Sequence, residues 1–226
     1  MSPYLFPVGS STGTFRYRPV EMTPASTSLN NYSVLMVNND ATSDGYDQSL
    51  LDSSICTTLP DFYHRIDRIS GSDAADISIY YDETTDGSWD GIAHWETTPV
   101  NIWADAGNTI VNSSTPLSNN TIQNWNNFST DPYILSLLNP DVDLGPDTFV
   151  CDNSTTTLDA GSGFDTYTWS DGSTGTQTIS VDTSGTYYVT VTSNGCSATD
   201  SVKVLLYASP WADAGENMTI CSGESI

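Results

Sequence analysis

Nine residues, Asp143 to Cys151, have a counterpart 70 positions later, Asp213 to Cys221, with Asp, Gly and Cys at matching places. A period of this length marks a chain assembled from serial supersecondary units. The repeat therefore sets a module of about 65 residues, from Asp143 to Tyr207, followed by the opening of a second copy. That second copy reaches only Ile226, too short to bury a face by itself, so the natural chain is expected to continue.

Within the module, apolar and polar residues alternate in short runs bounded by Gly, Asn and Asp, the pattern of half-buried strands. The runs are Phe149 to Cys151, Thr155 to Leu158, Thr166 to Trp169, Thr176 to Val181, Thr186 to Thr192 and Ser197 to Leu206. Side chains two residues apart share a face. Tyr187, Val189 and Val191 therefore lie together, as do Val202, Val204 and Leu206, with Lys203 in water and Trp169 beside Tyr167 in the core.

Upstream the same grammar holds in Phe15 to Met22, Ser33 to Val37, Phe62 to Ile69, Asp76 to Tyr81, Gly91 to Trp95, Val100 to Trp103 and Thr121 to Trp125. Only Gln48 to Cys56 and Pro132 to Leu138 suit a helical turn. Many short strands at regular spacing predict sandwiches or barrels. Asn139-Pro140-Asp141 reads as a short stiff linker. The expected organisation is all-β, tandem β-sandwiches: a larger one over 1–140, a smaller one over 141–208, and the first strand of a further unit over 209–226.

Charge narrows the partners. Five basic residues face 28 acidic ones, a net charge of -23. Nucleic-acid binding needs clustered Lys and Arg to neutralise phosphates, so that class is excluded, and no apolar run approaches the roughly 20 residues of a spanning helix. Met1 to Phe6 lacks the basic and apolar regions of a secretory leader; the four cysteines and the repeat nonetheless favour an exported segment.

Cys151 and Cys196 stand near the start and the end of the complete module. A bridge closing those 45 residues stabilises a thin-cored domain by about 4 kcal/mol in the chain-entropy picture. Metal binding is the alternative, but the spacing lacks a zinc pattern. Cys221 is then left for a cysteine farther along, and Cys56 reads as a lone buried thiol.

The combination Leu144-Gly145-Pro146-Asp147, Cys151, Leu158-Asp159-Ala160-Gly161, Tyr167-Thr168-Trp169-Ser170, Gly185-Thr186-Tyr187-Tyr188-Val189 and Asn194-Gly195-Cys196 resembles the immunoglobulin-like (PKD-like) repeats of large Bacteroidota surface proteins. The resemblance covers 143–207 and the stub. It implies an extracellular, cell-surface location, export by the type IX route, and an adhesin or surface-fibre role. Phe6-Pro7-Val8-Gly9 and Tyr17-Arg18-Pro19-Val20 resemble, more faintly, another β-sandwich module of the same proteins, which carries no activity. Asp200-Ser201-Val202 is similar to an O-glycosylation signal of that group, with Ser201 facing solvent.

Chemistry-bearing residues are few. His64 and His94 each sit in a strand beside aromatics, without a nucleophile elbow, and read as structural; an enzyme is not expected. Asp82, Asp86 and Asp90 concentrate carboxylates in one loop and are the calcium candidates, with Asp141, Asp143 and Asp147 as a second group; solvated acidic loops are the simpler reading. Trp89, Trp95, Trp103 and Trp125 would form a glycan-stacking face if exposed, or core if not. The expected function is a structural or adhesive stalk or fibre. Its partners would be other copies of itself, with Phe15 to Met22 as an edge strand open to exchange, or surface glycans and proteins. A carbohydrate-binding module with spacer repeats, or the accessory part of a secreted enzyme, are the alternatives.

Overall fold

A computed structural model describes residues 2–107, 109–151, 154–208, 213 and 215. The chain divides into two compact units, Met1–Asp141 with Thr192–Ala198, and Val142–Val191 with Thr199–Ile226. Both are built of strands, as alternation demands. The strands of the first unit are β1 (Tyr4–Phe6), β2 (Gly9–Ser10), β3 (Arg16–Tyr17), β4 (Val20–Pro24), β5 (Asn31–Val37), β6 (Ile55–Thr58), β7 (Tyr63–Ser70), β8 (Ala75–Tyr81), β9 (Gly91–Glu96), β10 (Ile102–Asp105), β11 (Thr109–Asn112), β12 (Ser118–Trp125) and β13 (Pro132–Leu138). Then come β14 (Thr148–Cys151), β15 (Thr156–Asp159), β16 (Thr166–Trp169), β17 (Thr178–Val181), β18 (Gly185–Ser193) and β19 (Cys196–Tyr207).

In the first unit an antiparallel sheet ordered β1-β4-β8-β12-β11 packs with one ordered β10-β9-β13-β7-β5, to which β6 adds on β13. In β8, Ala75, Ile77, Ile79 and Tyr81 are buried while the residues between them are partly exposed. One cluster joins Val20, Met22, Ile77, Ile79 and Ile122 of the first sheet to Met36, Ile66, Ile92 and Tyr133 of the second. At ~25 cal/mol per Å² of apolar area, such a core is the main stabilising term of the unit.

Three expectations are corrected. Pro132 to Leu138 is not helical: it is β13, and its Pro132 to Ser136 stretch is buried throughout. A continuous apolar run does not distinguish a helix from a strand covered on both faces, and proline is tolerated at the first position of a strand. Gln48 to Cys56 holds no helix either; among the described residues the helical turns are Ala41–Asp44 and Glu83–Asp86, each capped by a preceding aspartate. Phe15 to Met22 is not an open edge. Arg18-Pro19 splits it, and β4 is hydrogen-bonded on both sides, by β1 and β8.

The second unit sets the sheet β14-β19-β18-β16 with the pair β15-β17. Trp169, Leu158, Ile179, Val181, Val189, Val191, Val202 and Val204 form its core, with Tyr167 and Tyr187 packed against it. The buried Trp169 indole donates to the Thr176 carbonyl at 2.8 Å, which removes the cost of hiding its N–H. The repeat also has a structural echo. Asp143 accepts from the Gly145 amide and Asp213 from the Gly215 amide, both at 2.7 Å, with both glycines at positive φ. This is the same Asx turn, 70 residues apart. The stub's other residues, Cys221 among them, lie outside the described residues.

Candidate functional site

The cysteines pair differently from the sequence expectation. Cys56 bonds Cys196, with a sequence separation of 140, and Cys151 is free and exposed. Cys56 is thus not a lone thiol, and no bridge spans the module. The reason is strand direction. β14 runs parallel to β19, with Cys151 opposite Tyr207, the last residue of a 12-residue strand that begins at Cys196. At ~3.3 Å per residue the two cysteines are about 36 Å apart along that strand, far beyond disulfide reach. Cys196 instead follows a tight Asn194-Gly195 turn whose two residues have φ 51° and 84°. That turn type favours Asn-Gly because both positions need positive φ. It counts with the first unit, as does the bond it carries.

The acidic loop is held by internal hydrogen bonds. Asp86 is buried and held by Arg18: Nε donates to Oδ2 in a short contact, and Nη2 donates to Oδ1 at 3.0 Å. The fork neutralises that carboxylate. Asp82 accepts from the Thr84 amide (3.0 Å), and Asp90 from the Leu138 amide (2.8 Å) and Asn194 (3.3 Å). Asp143 and Asp147 hold the amides of Gly145 and Lys203. Among the described residues no group of three or more His, Cys, Asp or Glu is placed to hold a metal ion.

Nor do the tryptophans form a sugar-stacking face. Trp103 is 0 % and Trp95 4 % exposed; their rings meet edge-on at 5.3 Å, and Tyr46 packs against both. Trp89 and Trp125 are partly buried against the same core. Ser201 is exposed on β19, between the buried Val202 and Asp200, whose carboxylate accepts from the Leu144 amide.

Four arginines are structural as well. Arg16 bonds Asn38 and Asp61 and lies over Phe62, Arg18 holds Asp86, Arg65 reaches the Thr130 carbonyl, and Arg68 lies over Phe128.

His64 is fully buried, with Nε2 3.0 Å from the Arg18 carbonyl. A carbonyl only accepts, so Nε2 carries the proton of a neutral ring. Burial, with the nearby Arg18 charge adding to it, pushes its pKa down to about 4. The unfolded chain therefore binds a proton, below pH ~6.5, that the folded chain refuses. Stability present above pH ~6.5 is lost as pH falls toward 4, by about 3 kcal/mol for this group. Urea unfolding of the protein and of His64→Gln at pH 7 and pH 4.5 checks this, the variant losing most of the slope in that window.

His94 has another environment. It lies in β9, 1 % exposed, clamped by Tyr133 (4.6 Å between centroids) and Trp125 (5.3 Å). Nδ1 is 2.8 Å from Glu96 Oε1 and Nε2 is 3.1 Å from Ser129 Oγ. Glu96 follows two positions later in the strand, on the same face. Trp125 reaches the ring because β12 bulges between Ile122 and Trp125, with Asn124 at φ 52° and its amide donating to Asp76. Ser129 belongs to the loop joining β12 to β13. That loop is fixed by Trp125 Nε1 on the Asn127 carbonyl (3.1 Å), by Arg65, and by the Asp131 amide donating to Ser129 Oγ (3.2 Å). Asn127 Nδ2 also donates to Glu96 Oε1 (3.0 Å). Burial, foremost, raises the pKa of the Tyr133 phenol beside it. The His-x-Glu spacing is legible in the sequence, whereas Ser129 is brought to the ring only by the fold.

A surface hollow of about 420 Å³ beside Tyr4, Pro24 and Leu29 is lined by no carboxylate, histidine or cysteine. No protein-family model matches the chain, and no curated protein is significantly similar to it. Among the described residues no helix is long and apolar enough to cross a membrane.

Proposed function

We propose that the chain is a segment of an extracellular structural or adhesive protein, in which serial β-sandwiches form a stalk or fibre at a bacterial cell surface. The observation that carries this reading is the Cys56–Cys196 bond, which ties residues 140 apart in sequence. Disulfides persist in oxidising compartments and are rare in reducing ones. A cross-link over so long a segment also withholds about 500 Å of extended chain from any pulling force. The shared Asx turn at Asp143 and Asp213 supports serial units. The absence of a module-internal bridge takes away one support, so resistance to load rests on the first unit's cross-link. The exchange of strands between copies uses a true edge such as β1, β5, β10 or β11 rather than β4. O-glycosylation at Ser201 belongs to the same proposal.

The test is to treat intact source cells with an impermeant biotin reagent and a thiol alkylator. The expected result is surface labelling, with Cys56 and Cys196 protected from alkylation until reduced. Labelling only after lysis, with both cysteines alkylated without reduction, would sink the reading.

A further inference from the structure

We propose that Ser129, His94 and Glu96 form a charge-relay site in which Ser129 is an acyl-accepting nucleophile toward small esters. This goes beyond the stalk or fibre reading and does not depend on it.

The proton inventory fixes the direction of each bond. An ionised Glu96 carboxylate only accepts, so His94 Nδ1 donates to it at 2.8 Å. Nε2 is then the unprotonated nitrogen and accepts from the Ser129 hydroxyl at 3.1 Å. The Asp131 amide donates to Ser129 Oγ from the other side, which orients the remaining hydrogen toward the imidazole. Nucleophile, base and orienting acid thus stand in the order and at the distances that the chemistry requires. Packing holds the arrangement: Trp125 and Tyr133 clamp the ring, and Asn127 braces the carboxylate.

Ser129 itself is only half-buried, between the exposed Asn127 and Thr130. In the reaction the Oγ–carbonyl carbon bond forms as the hydroxyl proton passes to His94 Nε2. The tetrahedral oxyanion then collapses, the ester C–O bond breaks, and the leaving alkoxide takes that proton from His94. Water attacks the acyl-serine by the same route and restores the hydroxyl. Glu96 is a positioning residue, acting through the imidazole.

Fluorophosphonate labelling, read by peptide mass, and hydrolysis of p-nitrophenyl acetate test the proposal on the full chain. Ser129 is expected to label at least 100-fold faster than exposed serines such as Ser49 and Ser197. This follows from the 10²–10⁴ contribution of a positioned base. Ser129→Ala abolishes label and turnover while the protein stays folded, its thermal midpoint falling by a few degrees for the two hydrogen bonds lost. Glu96→Gln, which retains an acceptor for Nδ1, lowers the labelling rate at least 10-fold with its midpoint little changed. That keeps the test decisive if His94→Gln does not fold. Labelling of Ser129 at the rate of Ser49, or an unaltered rate in Glu96→Gln, overturns the proposal.

Discussion

Replacing Cys196 by serine lowers stability by about 5 kcal/mol, whereas replacing Cys151 leaves it within about 0.5 kcal/mol. The first figure follows from the 140-residue separation of the bonded pair, because a cross-link removes more conformational freedom from the unfolded chain as the closed loop lengthens. In a unit of this size that is a fall of about 10–20 °C in Tm. Cys56→Ser and reduction with a thiol reagent should reproduce it, and the double variant should add nothing further. The loss should register in the environment of Trp95 and Trp103, which are buried in the first unit. Non-reducing digestion offers an independent check, releasing the Cys56 and Cys196 peptides as one species. A destabilisation of equal size in Cys151→Ser would restore the module-internal bridge and refute the parallel placement of β14 on β19.

Arg18→Met is the second large effect, costing about 3–5 kcal/mol. The substitution leaves the Asp86 carboxylate, whose side chain is 0 % exposed, in the interior with its principal countercharge gone. Arg16 Nε stands 3.9 Å from Oδ1 and the Asp82 amide still donates to Oδ2, so the lower end of that range is expected. Arg18→Met also frees Thr85 and the Tyr17 carbonyl, which the same guanidinium holds. Removing both charges, as in Arg18→Met with Asp86→Leu, costs less than the single change, because an apolar pair of similar volume needs no partner. Denaturant titration of the three variants checks the ordering. If the double variant is as damaged as the single one, the ion pair is not the source of the loss. Calcium added to the single variant should restore nothing, since the ligands of that loop do not converge.

Both effects turn on contacts between residues distant in the chain, and there the reach of the sequence ends. Alternation and turn chemistry are local, and they determined most of what is regular here: the strands of the smaller module, the burial of Val189, Val191, Val202 and Val204, the core role of Trp169, and the repeated Asx turn. The all-β class follows from the same local pattern. Where local pattern is ambiguous, the reading failed. Pro132 to Leu138 is apolar on both faces because other layers cover both, a fact about neighbours that no periodicity records. Phe15 to Met22 alternates like an edge strand, yet β1 closes over it.

The sites were less legible than the fold. Asp86 appears in sequence as one acid among many, and its burial against Arg18, 68 residues away, is decided by packing. Four tryptophans suggest a face only until the sheets are folded over them. By itself, then, the sequence determined the strand content, the all-β class and the repeated Asx turn. Only the tertiary structure decided which cysteines meet and which serine reaches His94. Strand direction and sheet order fix such partners, and both are set by the burial of the whole apolar surface at once rather than by any short stretch of chain.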